Sequence, residues 1–214
     1  MKKKKIIIFG GTSFASQNLI ENLKKNFNLI NFSRNKIKGI KNYYFDINNF
    51  NKKLIKERIK NSEYIFYFTS YVPLNEKKAN TSYCFKTNVI SFTNLLSVTK
   101  KLPKKIILIS SNAVYGNNTY KILKENIPAI PDTIYSISKY LQENILRIFC
   151  KKNKISYLCL RLGYVYGKNL NKKRIISKLV HKIKNDEKFS VYNQDNFKFH
   201  LIHSKDIAKI ICKI

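Results

Sequence analysis

Ile6-Ile7-Ile8-Phe9 is a short run of β-branched and aromatic residues that stops abruptly on Gly10-Gly11. A run so short and so evenly apolar has no polar face to offer water, so it suits a strand buried on both faces of a parallel sheet. The glycines make a tight turn, and Thr12 or Ser13 is placed to cap a helix carrying Phe14, Leu19, Ile20 and Leu23 on one side. Strand, glycine turn and helix N-terminus together present free backbone N–H groups and a positive dipole end, an arrangement that receives a diphosphate. Such a loop wants small residues three apart; here they are Gly10, Ser13 and Ser16, so serine twice stands where glycine is usual.

The same alternation runs on. Strands are predicted at Asn28–Phe32, Ile40–Phe45, Tyr64–Phe68, Lys105–Ile109 and Ser156–Arg161, and helices at Lys52–Lys60, Thr81–Lys101 and Ile134–Phe149. Strands that are apolar runs, each followed by a helical period, define an α/β class with a doubly wound parallel sheet. After Gly167 the pattern changes: Ile175–Ile183 reads as helix, and two short β-like pieces flank Asn193. Residues 1–166 are therefore read as one sheet domain and 167–214 as a small, incomplete C-terminal lobe. Ligands of such sheets bind beyond the carboxyl ends of the strands. That directs attention to Gly10 through Ser16, Ser33-Arg34, Asp46, Phe68 through Ser70, Ser110-Ser111 and the turn after Arg161.

The 42 Lys and Arg against 12 Asp and Glu set a formal charge of +30, which by itself invites a nucleic-acid or membrane-surface reading. The lysines are spread along the whole chain rather than gathered in a block, and they accompany a richness in Asn, Ile, Tyr and Phe, residues that share AT-rich codons. Nucleic acid and membrane are accordingly not the expected partners, though a basic surface still attracts a phosphorylated substrate. Cys84, Cys150, Cys159 and Cys212 form no C-x-x-C pair and no metal-ligand spacing, so they read as reduced thiols of a cytoplasmic protein with no metal. No segment approaches the ~20 apolar residues of a membrane span.

Tyr followed four residues later by Lys puts a phenol and an ammonium on one helical face, where the charge lowers a phenol pKa that is otherwise about 10. A phenol so tuned exchanges a proton with a sugar hydroxyl. Three pairs have the spacing: Tyr120/Lys124, Tyr135/Lys139 and Tyr164/Lys168. Context selects Tyr135/Lys139, which opens a helix after the cap-like Pro131-Asp132-Thr133 and follows Ser111 at the end of a buried strand. Ser111 is then placed to donate a second hydrogen bond to the same substrate oxygen.

With these residues in view, the chain resembles the extended short-chain dehydrogenases/reductases, the NAD(P)-dependent epimerase/dehydratase family of nucleotide-sugar metabolism. The resembling segments fall in order: I-F-G-G-T-S-F-A-S, Asp46-Ile47, I-F-Y-F-T-S, T-N-V-I-S-F-T-N-L-L, I-S-S-N-A-V-Y-G, Tyr135 with Lys139, L-R-L-G-Y-V-Y-G and L-I-H-S-K-D-I-A. The resemblance implies a Rossmann fold whose cofactor-binding residues are Gly10, Gly11, Thr12, Ser13, Phe14, Ser33, Arg34, Asp46, Ile47, Phe68, Thr69, Ser70, Asn88, Tyr135 and Lys139. It implies Ser111, Tyr135 and Lys139 as catalytic residues, with Lys139 holding the nicotinamide ribose and lowering the Tyr135 pKa. Ser111, Asn112 and Tyr164 would touch substrate. The hydride step belongs to NAD or NADP, and the protein orients the reactants.

Departures from the family pattern sharpen these expectations. Ser33-Arg34 ends the second strand where an acidic residue would bind an NAD ribose, a tilt toward NADP. Asn112-Ala113 stands where sugar 4,6-dehydratases carry an acidic pair, which disfavours dehydration. Tyr164 replaces an Asn that many relatives place on the substrate diphosphate, and Ile214 follows closely on L-I-H, where relatives run on. The expected activity is epimerisation or 4-keto reduction of a nucleotide-linked sugar. The alternative is a cofactor-binding but inactive or truncated member. A homodimer through the Thr81–Lys101 and Ile134–Phe149 helices is a further implication of the resemblance.

Overall fold

The computed structural model describes residues 3–99, 103–117, 122–188 and 200–213. Six strands, β1 (Lys5–Phe9), β2 (Asn28–Ser33), β3 (Lys41–Tyr44), β4 (Tyr64–Tyr67), β5 (Lys105–Ser111) and β6 (Ser156–Leu162), pair in parallel in the order β3-β2-β1-β4-β5-β6. The apolar runs fold as their composition requires. In β1, Ile7 and Phe9 point to one face and Ile6 and Ile8 to the other, and all four are at most 2% exposed. On the first face they meet α2 (Lys52–Arg58), α4 (Ser91–Ser97) and α5 (Ile134–Asn153) through Ile55, Phe92, Leu95, Leu96 and Leu146. Phe9 stacks on Phe32 at 5.0 Å between ring centroids, and Phe32 on Tyr43 at 5.3 Å. Each such fully buried side chain contributes roughly 1.5–3 kcal/mol.

The opposite face is covered by α1 (Gln17–Leu23) and, from the far end of the chain, α7 (Ser204–Cys212). Ile207, Ala208 and Ile211 of α7 join Leu19, Ile20 and Leu23 of α1 over the sheet, so α7 completes the core on that face. Between them come β7 (Tyr164–Tyr166), α6 (Ile175–Lys184) and β8 (Leu201–His203); β7 and β8 pair in parallel as a separate ribbon. The β-like pieces flanking Asn193 lie outside the described residues.

Several element ends differ from the sequence reading. The helix after β1 begins at Gln17, and its cap, Ser16, makes no side-chain cap bond; neither Thr12 nor Ser13 caps it, because the chain first closes two successive tight turns. The predicted helix from Thr81 is α3 (Thr81–Phe85), a π-helical turn (Lys86–Ile90) and α4, and it ends at Ser97. Its buried face carries Cys84, then the polar Thr87, Asn88 and Ser91, and is continuously apolar only from Phe92. By contrast α5 opens where predicted: Thr133 and Ser136 cap each other reciprocally.

Strand order reverses between β1 and β4, so the crevice at their carboxyl ends is the topological switch point where ligands of open α/β sheets bind.

Candidate active site

At the crevice, Gly10 has φ +81° and donates its N–H to Phe32 O at 2.8 Å. A Cβ there would stand 2.8 Å from Thr69 Oγ1 and 2.9 Å from Thr69 N, so both the φ and the close approach of the two strand ends require glycine. The loop then folds on itself: Ser13 N donates to Gly10 O, Ser13 Oγ to Ser16 Oγ, and the fully buried Ser16 hydroxyl lies 2.7 Å from Gly11 O. The serine at the usual glycine position thus bonds its own loop. Thr12 and Phe14 stay partly exposed on it, and Phe14 lies beside Gly167 at the end of the β7–β8 ribbon.

Three asparagines that the sequence reading passed over brace the strand exits. Buried Asn31 accepts from Gly11 N at 3.1 Å and donates to Ser33 Oγ and Asn42 Oδ1. Asn42 in turn holds the Ile37–Ile40 loop. Asn48 links Thr87 and Ser91 to the Asp46 turn, where Asp46 Oδ1 accepts Asn48 N. Ser33 spends its hydroxyl on Asn35 O at 2.5 Å, Arg34 is exposed, and Ile47 is buried. Phe68 continues β4 by donating its N–H to Phe9 O. Asn88, 0% exposed, uses its whole amide on protein: it accepts from Tyr71 N and Ser70 Oγ and donates to Tyr71 O and Ser138 Oγ.

The predicted catalytic residues converge at the carboxyl end of β5. Ser111 ends the strand and accepts Ala113 N at 3.2 Å, and its hydroxyl lies near enough to the Tyr135 phenol, from the first turn of α5, to draw the phenol's pKa down. Burial pushes that phenol up to about 12. Ser111 and the Arg174 guanidinium pull it down, and Glu76 and Cys84 push it further up. Lys139 is 1% exposed, and its Nζ donates to Ile109 O at 2.8 Å and Gln142 Oε1 at 2.5 Å. Burial lowers it to about 8 against the opposing influence of Glu143, Cys159 and Cys84. The charge lowering Tyr135 in this arrangement is Arg174 rather than Lys139, whose ammonium is engaged one turn further along α5.

Beneath this group Glu143 accepts Ser110 Oγ at 2.5 Å and a two-pronged ion pair from Arg161, 2.8 Å at the nearest contact. The Arg161 guanidinium lies over the Tyr115 ring, and the ion pair raises Arg161 above its ordinary value. Asn112 follows Ser111 in a short 3₁₀ turn, whereas Tyr164 sits on the β7–β8 ribbon opposite Leu201 and is 49% exposed. Tyr120 of the first alternative pair lies outside the described residues. Arg174, Glu76 and Gln142 were not singled out from the sequence. Burial raises the Glu76 carboxyl, and the Tyr135 backbone N–H acts against that rise. Only Gln142 carried a signal, standing one turn beyond Lys139 on the same helix.

The six-stranded order, the glycine turn at the switch point and the Ser–Tyr–Lys set define a Rossmann-type nucleotide-binding protein. The chain belongs to the NAD dependent epimerase/dehydratase family, whose model matches residues 6–214. It is 25% identical over 216 residues to a putative UDP-glucose 4-epimerase of Methanocaldococcus jannaschii, covering 95% of this chain and 71% of that protein. It is 30% identical over 170 residues to the UDP-glucose 4-epimerase of Mycoplasma genitalium, 73% of this chain but only 50% of the relative. The crystal structure of UDP-glucuronic acid 4-epimerase from Bacillus cereus in complex with UDP-glucuronic acid and NAD matches with a TM-score of 0.85 at 16% identity, over 97% of this chain and 72% of that one. Among the described residues no helix is long and apolar enough to cross a membrane.

Proposed function

We propose that the protein is an NAD-dependent epimerase acting at C4 of a sugar carried on a nucleoside diphosphate, with UDP-sugars the first candidates. The observation that carries this reading is the placement of Ser111 and the Tyr135 phenol together at the end of β5, where the serine draws the phenol's pKa down, two strands from a glycine turn at the end of β1. The residues present fit a dinucleotide: Gly10 lets the turn press directly against Thr69 at the crevice, and the Thr69 hydroxyl is buried without a partner among the described residues. The Gly10–Ser13 turn, Thr69 and Lys139 would hold it. When bound, NAD supplies the hydride acceptor and donor.

The protein's own work is proton handling. With its pKa raised by burial, Tyr135 rests protonated and is ready to give its proton to a sugar keto oxygen; taking one from a hydroxyl requires the nearby positive charge that Arg174 provides. Ser111 fixes the same oxygen. Reduction of a 4-keto sugar would use the same three residues. Residues 1–166 would bind the dinucleotide and 167–214 would contribute to the substrate lobe. Ile90 and Ile148, both about 60% exposed on α5 and the π-helical turn, support a homodimer through these helices. The test is Tyr135→Phe assayed on UDP-sugars: turnover should vanish while NAD binding persists, and undiminished turnover would refute the assignment.

A second reading, dinucleotide binding without turnover, is favoured by one observation: the Lys139 ammonium is held by Ile109 and Gln142 rather than acting on the Tyr135 phenol. Dinucleotide binding with no binding of any UDP- or GDP-sugar would select it.

A further inference from the structure

Lys139 is surrounded by more ionisable groups than it touches. Glu143 faces it from its own helix, Cys159 from β6 and Cys84 from α3. Glu143 is already committed to Ser110 and Arg161. The ammonium's direct partners are therefore two neutral oxygens, Ile109 O and Gln142 Oε1. An ammonium has three N–H bonds, so one remains for a ligand.

Gln142 is 0% exposed, and its Nε2 has no partner among the described residues. An orphaned buried amide donor is costly, so this side chain is a poor device for stability alone. Its oxygen, in contrast, makes one of the shortest hydrogen bonds in the site. We propose that Gln142 is a positioning residue whose side-chain oxygen, with the Ile109 carbonyl, anchors the Lys139 ammonium and keeps it charged toward a bound dinucleotide. The inference rests on the dinucleotide reading above.

The assignment has a consequence that mere packing would not produce. Removing the oxygen disfavours the charged ammonium, and replacing the amide with a carboxylate favours it. Affinity for NADH, followed by its fluorescence on the full chain, should fall roughly fivefold as pH rises through about 8 and Lys139 loses its proton. In Gln142→Leu the fall should move to lower pH, in Gln142→Glu to higher pH, and in Lys139→Met it should disappear. Thermal melting of both Gln142 variants in the absence of NADH reports whether they fold.

Folded Gln142 variants that keep the wild-type midpoint would overturn the role of Gln142 and leave the dinucleotide reading standing. A Lys139→Met variant that keeps the midpoint would overturn it as well, since another group would then be titrating. Absence of NADH binding by the wild type at every pH would bring down both readings together.

Discussion

The two ends of the crevice are built from different materials. At the exits of β1 and β4 the site is backbone: a glycine at positive φ, a second strand end pressed against it, and hydroxyls that turn inward to brace the loop. At the exits of β5 and β6 it is side chains: Tyr135 by Ser111, Lys139 bonded to Ile109 and Gln142, and Glu143 paired with Arg161. A backbone site tolerates no Cβ but needs no charge. A side-chain site holds ionisable groups out of water and must therefore give each a counter-ion, as for Arg161, or hydrogen-bond acceptors, as for Lys139. The comparison teaches that cofactor geometry and proton chemistry fail in separate ways in this fold.

The sharpest break is expected in the second region. Tyr135→Phe should reduce kcat on a UDP-sugar by about 10²–10⁴, the usual range for a positioned acid/base, with NAD affinity little changed in equilibrium binding. Glu143→Gln should leave Arg161 without its counter-ion. A loss of about 3 kcal/mol in urea unfolding is expected, and a change under about 1 kcal/mol would mean that the pair is solvated.

In the first region, Gly10→Ala should lose about 2 kcal/mol of stability, from strain at φ +81° and the approach to Thr69. It should also abolish dinucleotide binding, because the displaced turn carries the amides. Calorimetric titration with NADH checks the second point, and retained binding would detach the turn from the cofactor.

Lys139 gives the comparison a pH axis. Its value is lowered to about 8 when folded from an ordinary 10.5, so the folded state binds fewer protons than the unfolded one between these values. Stability therefore rises with pH across that window, and below pH 8 the full cost of the buried charge is present. Lys139→Met should be more stable than wild type by about 1–2 kcal/mol at pH 7, with the gain shrinking by pH 10. A gain independent of pH would assign the effect to packing. The smallest effect is expected at Arg34, which is exposed and makes no ion pair among the described residues. Arg34→Ala should weaken NADPH about fivefold if it meets a 2′-phosphate and leave NADH nearly untouched, a difference worth about 1 kcal/mol.

Much of the frame was legible because β1, β2, β4 and β5 are largely apolar runs. Gly10 could be read for the same reason, whereas the Tyr–Lys spacing, which occurs three times, pointed to Tyr135 and Lys139 only through their place at the start of a capped helix. Asn31, Asn42 and Asn48 could not be read. Hydrophobic periodicity records which residues avoid water, and a buried amide is invisible to it until its partners on other elements are known. The π-helical turn escaped for a related cause: Thr87, Asn88 and Ser91 form a polar buried face that no apolar stripe announces. Arg174 and Glu76 lie far along the chain from Tyr135 in opposite directions, so nothing local connects them to it.

Short-range chemistry in the chain itself determined the parallel sheet, the glycine turn and the helix that carries Tyr135, because backbone conformation and burial on both faces depend on a few consecutive residues. Tertiary structure alone decided that α7 roofs the sheet, that Arg174 rather than Lys139 is the cation acting on the phenol, and that Lys139 is anchored on Gln142. Those outcomes depend on distances between separate elements in a medium of low dielectric, where a few ångströms decide which charge is felt.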